Sequence, residues 1–235
     1  MFDMGVNPRL SIALSSKNNE VAGKHFSILI ANNEGLLIGR LTGVDRALTS
    51  DDSIVADLTA WRQRAMTSFL TQFEARNDRT RAWLQRVVIP SPDRILFLIC
   101  IPSGEPIGNI GIRNLGVNAG EIDNIIRGEK SGEPRIIYFG AIALLSWMFG
   151  YLNFEKATLH VFSNNIPALN LYESLGFTKS RSIPLSCRKL PQLIEYLLNS
   201  TEGDAVDFDC LEMELDRGSF LSFHPWVRHV YRDFW

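Results

Sequence analysis

Tyr172 is the first side chain in this sequence that is placed to do chemistry. It lies on a predicted helix that begins at the polar turn Ser163–Asn165, where serine and asparagine oxygens can cap the helix start. A phenol has a reference pKa of about 10 and can donate a proton or a hydrogen bond to a reacting group. The residue type therefore suggests a general acid, with an ordinary core tyrosine as the alternative.

Three further side chains are candidates for a base. Glu121 and Asp123 lie two residues apart on a predicted strand, so the period-two alternation places both on one face. His160 lies on the strand that precedes the Tyr172 helix. Glu121 is the first candidate for accepting a proton from a nucleophile. The alternatives are a structural carboxylate at a strand end and a hydrogen-bonded core histidine.

A strand, a turn and a helix must position these groups. Thr158–Phe162 alternates and is rich in β-branched and aromatic residues, which predicts a strand. Gly176 lies where a helix commonly ends in a left-handed residue. Between the turn and Gly176, the apolar positions recur at three- and four-residue steps and are Ala168, Leu171, Tyr172 and Leu175.

The same stretch carries a motif, V-x-x-x-N-x-x-A-x-x-x-Y-x-x-x-G-F, formed by Val161, Asn165, Ala168, Tyr172, Gly176 and Phe177. It resembles the second conserved motif of the GNAT superfamily of acetyl-CoA-dependent N-acetyltransferases. The resemblance implies acetyl-CoA as the acyl donor, Tyr172 as the acid for the departing thiolate, and Asn165 and Ala168 in the cofactor site. In the family the asparagine commonly contacts the pantetheine arm or orders the turn, and a carboxylate on the Glu121 strand often receives the amine proton.

The loop from Arg127 to Arg135 precedes a long apolar helix. A helix N-terminus offers N–H groups and partial positive charge to a phosphate, so the pyrophosphate of coenzyme A is expected here. The family pattern in this loop is Q/R-x-x-G-x-G/A, and the best alignment, Glu129 to Pro134, clearly keeps only Gly132. Pro134 is expected at the first helical position, where it removes a donor that Lys130 or Arg135 replaces by charge. A solvated polar loop that caps a core helix is the alternative.

The expected cofactor contacts thus extend from the end of a strand into this loop. Besides Asn165 and Ala168, they are Ile125, Ile126, Arg127, Lys130, Gly132 and Arg135. Peptide N–H groups of residues 125–127 are also expected to stabilise the tetrahedral oxyanion.

Composition excludes several other classes of protein. With 235 residues, 46% hydrophobic and 21% charged, the chain fits one globular domain with a sizeable core. The net charge of −2 gives no basic field to attract nucleic acid or an anionic membrane. No segment resembles a signal peptide or a membrane span, so a cytoplasmic protein is expected. Cys100, Cys187 and Cys210 lack close metal-type spacing, which favours free buried thiols and no metal site.

The predicted elements follow from periodicity and turn signals. The predicted strands are two segments within His25–Gly43 that flank the turn Asn32–Gly35, then Arg94–Ile101, Pro106–Leu115, Glu121–Ile126, Thr158–Phe162, Phe177–Leu185 and Val206–Leu215. The predicted helices are one that begins at the cap Thr49–Asp51 and continues toward Phe73, then Arg79–Val88, Arg135–Leu152, the segment after Asn165, and Leu190–Leu198.

The predicted fold class is α/β of the α+β type, a GNAT-like mixed and mostly antiparallel central sheet with helices on both faces. The order of elements is similar to the GNAT layout over about residues 36–215. Residues 1–235 are expected to form a single GNAT-like acetyltransferase domain with an N-terminal extension and an aromatic C-terminal tail. The tail, Gly218–Trp235, is expected to pack on the body or on a second subunit, which makes a homodimer a further hypothesis.

The predicted function is transfer of an acetyl group from acetyl-CoA to a primary amine of a small molecule. Direct attack in a ternary complex is expected, because no cysteine lies in the motif to carry the acyl group. Glu121–Gly128 and Arg181–Leu185 more weakly resemble GNAT members of bacterial surface-polysaccharide pathways, which implies an amino group on a nucleotide-linked sugar. No acidic cluster favours a polyamine. The alternatives are a non-catalytic GNAT-like module that binds a coenzyme A derivative or a partner, and a protein N-terminal or side-chain acetyltransferase.

Overall fold

The apolar runs of the sequence form two β-sheets. The computed structural model describes residues 8–235. Within them the strands are β1 (Ser27–Ala31), β2 (Leu37–Gly43), β3 (Thr71–Phe73), β4 (Ile95–Cys100), β5 (Pro106–Arg113), β6 (Ala119–Arg127), β7 (Lys156–Phe162), β8 (Thr178–Ile183), β9 (Leu185–Leu190), β10 (Leu193–Leu198), β11 (Asp204–Ala205) and β12 (Cys210–Asp216).

Helices cover both faces of the larger sheet. Over the same residues they are α1 (Pro8–Ser16), α2 (Arg46–Thr49), α3 (Asp52–Arg64), α4 (Asn77–Trp83), α5 (Ile136–Ser146), α6 (Ile166–Ser174), α7 (Arg217–Phe223) and α8 (Val227–Val230). Short π-helical turns extend α4 to Val88 and α5 to Tyr151. Among these described helices, none is both long enough and apolar enough to cross a bilayer.

The larger sheet has eight strands in the order β1-β2-β4-β5-β6-β7-β12-β8. Every neighbouring pair is antiparallel except β6 and β7, which are parallel. This mostly antiparallel mixed sheet, with helices on both faces, confirms the predicted fold class.

The two parallel strands separate soon after they meet. They pair only from Ala119 opposite Lys156 to Glu121 opposite Thr158, although both strands continue further. Just beyond this point Asn124 has a φ of 53°, and the register of β6 against β5 shifts. A β-bulge of this kind bends a strand. The result is an open edge along the second half of β6, facing β7.

Helix α5 is buried on nearly every side, because it lies between the sheet and the C-terminal tail. All of its residues except Tyr138 are buried, as expected for a helix that is apolar all round. The tail supplies the outer cover through α7, α8 and the residues that follow. Phe220 and Val227 are fully buried in the same core, and the Tyr231 hydroxyl contacts the backbone of Ala31.

The tail therefore packs on the body, which was one of the two expected positions. Phe220 and Tyr231 are buried without a second subunit, whereas Phe223 is exposed. The aromatic content of the tail therefore does not by itself require a homodimer, which stays a prediction.

The opposite face of the sheet is covered by α3 and α4. Asp51 caps α3 by accepting hydrogen bonds from the peptide N–H groups of Ser53 and Ile54, as the sequence predicts. The helix ends at Arg64, however, and does not continue toward Phe73. Thr71–Phe73 instead forms β3, because its backbone pairs with β10.

A second sheet, in the order β11-β9-β10-β3, corrects another prediction. Leu190–Leu198 was expected to be a helix, but it contributes β10, which pairs with β9 from Leu193 opposite Leu190 to Leu198 opposite Leu185. The apolar residues of this segment fit either period. The hairpin is favoured because it places Tyr196 against Phe162 and Phe208, with ring centroids 5.2 and 5.4 Å away.

Two predicted strands also have different limits. The strand expected over Phe177–Leu185 is interrupted at Pro184. β8 therefore ends at Ile183, and the next strand, β9, belongs to the second sheet. The last strand begins at Cys210 and not at Val206.

The packing of the tail gives a direct stability test. Phe220 is fully buried with its ring centroid 5.2 Å from that of Phe149, whereas Phe223 in the same helix is 60% exposed. Phe220→Ala should lower the free energy of unfolding by about 3–5 kcal/mol, and Phe223→Ala by about 1 kcal/mol or less. Urea titrations of both variants measure the difference. Equal losses would mean that α7 does not close the core in this way.

Candidate active site

A buried carboxylate lies where β6 and β7 separate. Glu121 is only 5% exposed, and its oxygens accept hydrogen bonds from Arg113 Nη2 at 2.6 Å, Asn114 Nδ2 at 2.7 Å and His160 Nδ1 at 2.9 Å. Burial by itself would raise the pKa of Glu121, but the hydrogen bonds from His160 and Arg113, together with the Arg113 charge, lower that pKa to about 2. Glu121 is therefore ionised at neutral pH.

The same contact fixes the orientation of His160. An ionised carboxylate only accepts hydrogen bonds, so Nδ1 of His160 carries the proton that points to Glu121. In the neutral imidazole Nε2 then carries a lone pair. Among residues 8–235 no side chain or backbone group hydrogen-bonds that atom, and the His160 side chain is 24% exposed. This leaves Nε2 able to accept a proton from a molecule bound beside β7.

Asp123 lies on the same face of β6 as Glu121, because Arg113 contacts both carboxylates. Its Oδ2 accepts hydrogen bonds from Arg94 Nη1 at 3.0 Å and Asn124 Nδ2 at 2.8 Å. The period-two alternation predicted this shared face. Both carboxylates are thus held by arginine cations.

Tyr172 is partly buried on α6 and packs edge-on against Phe177, with ring centroids 6.3 Å apart. Burial, and to a smaller extent the negative charge of Asp123, raises the pKa of Tyr172 to about 12. Its hydroxyl has no hydrogen-bond partner within the part of the chain that the structure describes. At neutral pH this hydroxyl keeps its proton, and Asp123 lies close enough to influence it.

The start of α6 is capped by Asn165, whose Oδ1 accepts a hydrogen bond from the N–H of Ala168 at 3.3 Å. Gly176 ends the same helix region with a φ of 95°. The structure thus gives Asn165 the capping role that the sequence suggested. A contact of Asn165 or Ala168 with the cofactor stays a prediction.

The loop before α5 is tied to α3 by a residue that departs from the family pattern. Oε1 of Glu129 accepts hydrogen bonds from Trp61 Nε1 at 2.9 Å and from Arg64 Nη2 at 2.8 Å. Arg64 also donates to the Gly128 carbonyl at 2.7 Å. A Cβ at Gly128 would lie 2.2 Å from the Trp61 ring, so only glycine fits there. Sequence reasoning missed this link because its partners are more than sixty residues apart.

Arg127 shapes the loop from within. Its guanidinium donates to the carbonyls of Glu129 at 3.1 Å, Lys130 at 3.2 Å and Pro134 at 2.5 Å. These donors are already used, so direct binding of a phosphate by the Arg127 side chain stays a prediction that this conformation disfavours.

The remaining cations of the loop are free to face a ligand. Lys130 and Arg135 are exposed, and neither forms a salt bridge within residues 8–235. Arg135 lies over the Tyr138 ring, with its guanidinium carbon 4.4 Å from the centroid. Helix α5 begins without a side-chain cap. The Ile136 N–H donates to the Glu133 carbonyl at 3.0 Å, which leaves the N–H groups of Ile137 and Tyr138 for another acceptor.

Two backbone features complete the loop. Gly132 has a φ of 81°, and a Cβ there would lie 2.6 Å from the side chain of Ile101. Pro134 was expected at the first helical position, but it precedes Arg135, the residue before α5 begins. Pro134 therefore removes no donor from the helix itself.

These features fit coenzyme A. The N-terminus of α5 has no side-chain cap, and the two cations beside it form no salt bridge within residues 8–235. This combination suits the pyrophosphate. The open edge of β6, at Ile125 and Ile126, offers peptide groups to an extended arm. The side chain of Ile126 is itself buried in the core beside α3, so its contact with the cofactor would be through its backbone.

Comparison with known proteins agrees with this geometry. The model of the acetyltransferase (GNAT) domain family matches residues 46–178, which is more than half of the chain. No curated protein gives a significant match to the sequence.

Solved structures share the fold at low sequence identity. A GNAT-family protein from Chromobacterium violaceum ATCC 12472 superposes with a TM-score of 0.60 at 16% identity, over 85% of this chain and 99% of that one. The spermidine N-acetyltransferase from Vibrio cholerae, solved with CoA and spermine, superposes with a TM-score of 0.58 at 18% identity, over 77% and 96% of the two chains. With the family match, the conclusion is that this chain belongs to the GNAT family of acetyl-CoA-dependent N-acetyltransferases.

Proposed function

We propose that this acetyltransferase acetylates the primary amine of a small anionic molecule, an amino sugar carried on a nucleotide, by direct attack in a ternary complex. The observation that carries the proposal is the charge on the sheet face around His160. Its carboxylates are paired with arginines: Glu121 with Arg113, Asp123 with Arg94, and Glu212, which lies opposite His160 in the sheet, with Arg181.

The pairing of these carboxylates argues against a polyamine acceptor. A polycation is recognised by carboxylates that are free to neutralise it, and here each one already has a cation. The Vibrio cholerae neighbour is named for spermidine, but its low identity supports only the shared fold. The weaker sequence resemblance to polysaccharide-pathway members supports the amino sugar.

His160 is the base that the geometry favours. Glu121, the first choice from the sequence, has a pKa of about 2 and is too weak a base to accept an ammonium proton at neutral pH. Asp123 is held by Arg94. We therefore assign proton removal to Nε2 of His160, with Glu121 as a positioning residue that holds the Nδ1 proton. Catalytic roles for Glu121 and Asp123 themselves stay predictions.

Tyr172 is the proposed partner of the leaving sulfur. A phenol whose pKa is raised to about 12 holds its proton more tightly than a thiol does, so complete transfer of that proton to the departing thiolate is unfavourable. Tyr172 thus donates a hydrogen bond to the leaving sulfur as negative charge develops on that sulfur. Its hydroxyl is available for this because it has no partner among residues 8–235.

The remaining roles are held by the loop and by the open strand edge. When bound, acetyl-CoA supplies the thioester carbon that the amine attacks. Lys130, Gly132, Arg135 and the α5 N-terminus would hold its pyrophosphate. Peptide N–H groups of residues 125–127 would face the oxyanion.

Direct attack also fits the state of the nearest cysteine. Cys210 is buried near Glu121, and burial raises the pKa of its thiol to about 11. A thiol of that pKa is protonated at neutral pH and does not act as a nucleophile.

An acceptor panel tests the proposed function. With acetyl-CoA as donor, kcat/KM for a nucleotide-linked amino sugar should exceed that for spermidine or for a peptide N-terminus by at least about tenfold. This is roughly the effect of one charge-assisted hydrogen bond. Release of free CoA measures the rate. A preference for spermidine would overturn the anionic acceptor, and acetyl-CoA binding without transfer to any amine would favour a non-catalytic module.

His160→Gln tests the base. Glutamine can still donate a hydrogen bond to Glu121 but cannot accept the amine proton, so kcat/KM should fall by about 10²- to 10⁴-fold. His229→Gln, at an exposed position on α8, is the control. A kcat/KM in His160→Gln equal to that of the wild type would assign the base elsewhere.

Tyr172→Phe tests the proposed hydrogen bond to the leaving sulfur. Loss of one hydrogen bond to a developing charge should lower kcat by about 10- to 100-fold while the KM for acetyl-CoA changes little. Tyr196→Phe removes a hydroxyl from a partly buried tyrosine in the second sheet and serves as the control. Unchanged turnover in Tyr172→Phe would remove this residue from the mechanism.

A further inference from the structure

We infer that Arg62 binds an anionic group of the acceptor molecule, a phosphate of its nucleotide carrier. This inference rests on the proposed function and names the residue that would give it specificity. It concerns a cation that the proton-transfer steps leave unused.

Arg62 is held in place without a carboxylate. Its guanidinium carbon lies 3.3 Å from the centroid of the Phe69 ring and 5.6 Å from that of Phe73, and Nη2 donates to the Thr71 carbonyl at 3.0 Å. Within residues 8–235 it forms no salt bridge. A guanidinium that stacks on an aromatic ring keeps its in-plane donors, and their fork matches the oxygens of a phosphate.

This state distinguishes Arg62 from the arginines around the catalytic residues. Arg94, Arg113 and Arg181 each contact a carboxylate within 3.0 Å. Their charges are therefore neutralised by direct contact, whereas Arg62 is influenced by the Asp123 charge only at a distance. A partly buried cation that lacks a counter-ion is ready to bind one from a ligand.

The position of Arg62 suits the acceptor. It lies in the last turn of α3, one residue after Trp61, whose ring lies against Gly128 at the start of the cofactor loop. The negative charge of Asp123 raises the pKa of Arg62 and also the pKa of Tyr172. Burial lowers the pKa of Arg62 to about 10, which leaves it charged at neutral pH. Helix α3 and His160 share one face of the sheet, because Leu159, next to His160 in β7, packs in the core on the opposite side, with α5. The cation thus lies on the sheet face that carries the proposed base.

The second sheet keeps this arrangement rigid. β3 carries Thr71 and Phe73, and β10 pairs with it from Leu193 opposite Phe73 to Glu195 opposite Thr71. The Phe73 ring and the Thr71 carbonyl, two of the groups that contact Arg62, are therefore anchored by the β9–β10 hairpin. A preorganised guanidinium loses little side-chain freedom when it binds an anion.

Uridine diphosphate is the probe for this site, titrated by calorimetry into protein saturated with CoA so that the cofactor loop is occupied. Arg62→Gln should weaken its binding by about 10- to 100-fold, the loss of a charge-assisted contact. Arg79→Gln is the matched control, because Arg79 stacks on the same Phe73 ring at 4.2 Å but is exposed. It should bind like the wild type. Arg62→Lys keeps the charge but loses the forked donors of the guanidinium, so its affinity for uridine diphosphate should lie between those of the wild type and Arg62→Gln.

The outcomes separate this inference from the proposed function. Equal affinity of Arg62→Gln and the wild type for uridine diphosphate, or no binding to the wild type, would overturn the role of Arg62. Failure of the wild type to bind CoA would count against the proposed function instead, and the same titration without CoA would still report on Arg62. An unchanged affinity for CoA and an unchanged circular dichroism spectrum show that Arg62→Gln is folded.

Discussion

The site depends on one buried carboxylate. An ionised carboxylate costs several kcal/mol to bury unless hydrogen bonds and opposite charge compensate it. Glu121 receives three such bonds, from Arg113 at the end of β5, from Asn114 just beyond it, and from His160 on β7. These contacts join three strands where β6 and β7 stop pairing. They tie β5 and β7 to β6 at the point where β6 and β7 begin to separate, and they orient the imidazole, so one compensated charge sets the chemistry of the site.

The cofactor side is built on a helix that the protein anchors on two sides. Helix α5 is covered by the sheet on one side and by the C-terminal tail on the other, and only its N-terminal approach is exposed. Polar donors can stay open at that end because the rest of the helix is fixed by apolar packing. Glu129, Trp61 and Arg64 then tie the loop to α3. The loop departs from the family pattern, yet it is held by specific contacts.

The acceptor side depends on a part of the chain that lies outside the residues matched by the family model. The β9–β10 hairpin pairs with β3 and so fixes the connection between α3 and α4. Its Tyr196 also packs on Phe162, the last residue of β7, together with Phe208 from the segment before β12. A segment added after the shared motif thereby shapes the face where the amine is proposed to bind.

Local features of the fold were predictable from the sequence. The strand Ile95–Cys100, the caps Asp51 and Asn165 and the glycine that ends α6 each depend on neighbouring residues, and the motif around Tyr172 identified the family. Tertiary structure decided the rest. Whether residues 193–198 form a helix or a strand depended on a partner strand, because their apolar pattern fits both. Likewise, the sequence nominated Glu121 as a base, but contacts from the neighbouring strands β5 and β7 lower its pKa and support the proposal that His160 is the base. Periodicity and capping act over a few residues, whereas pairing, burial and charge compensation act between residues that only the fold brings together.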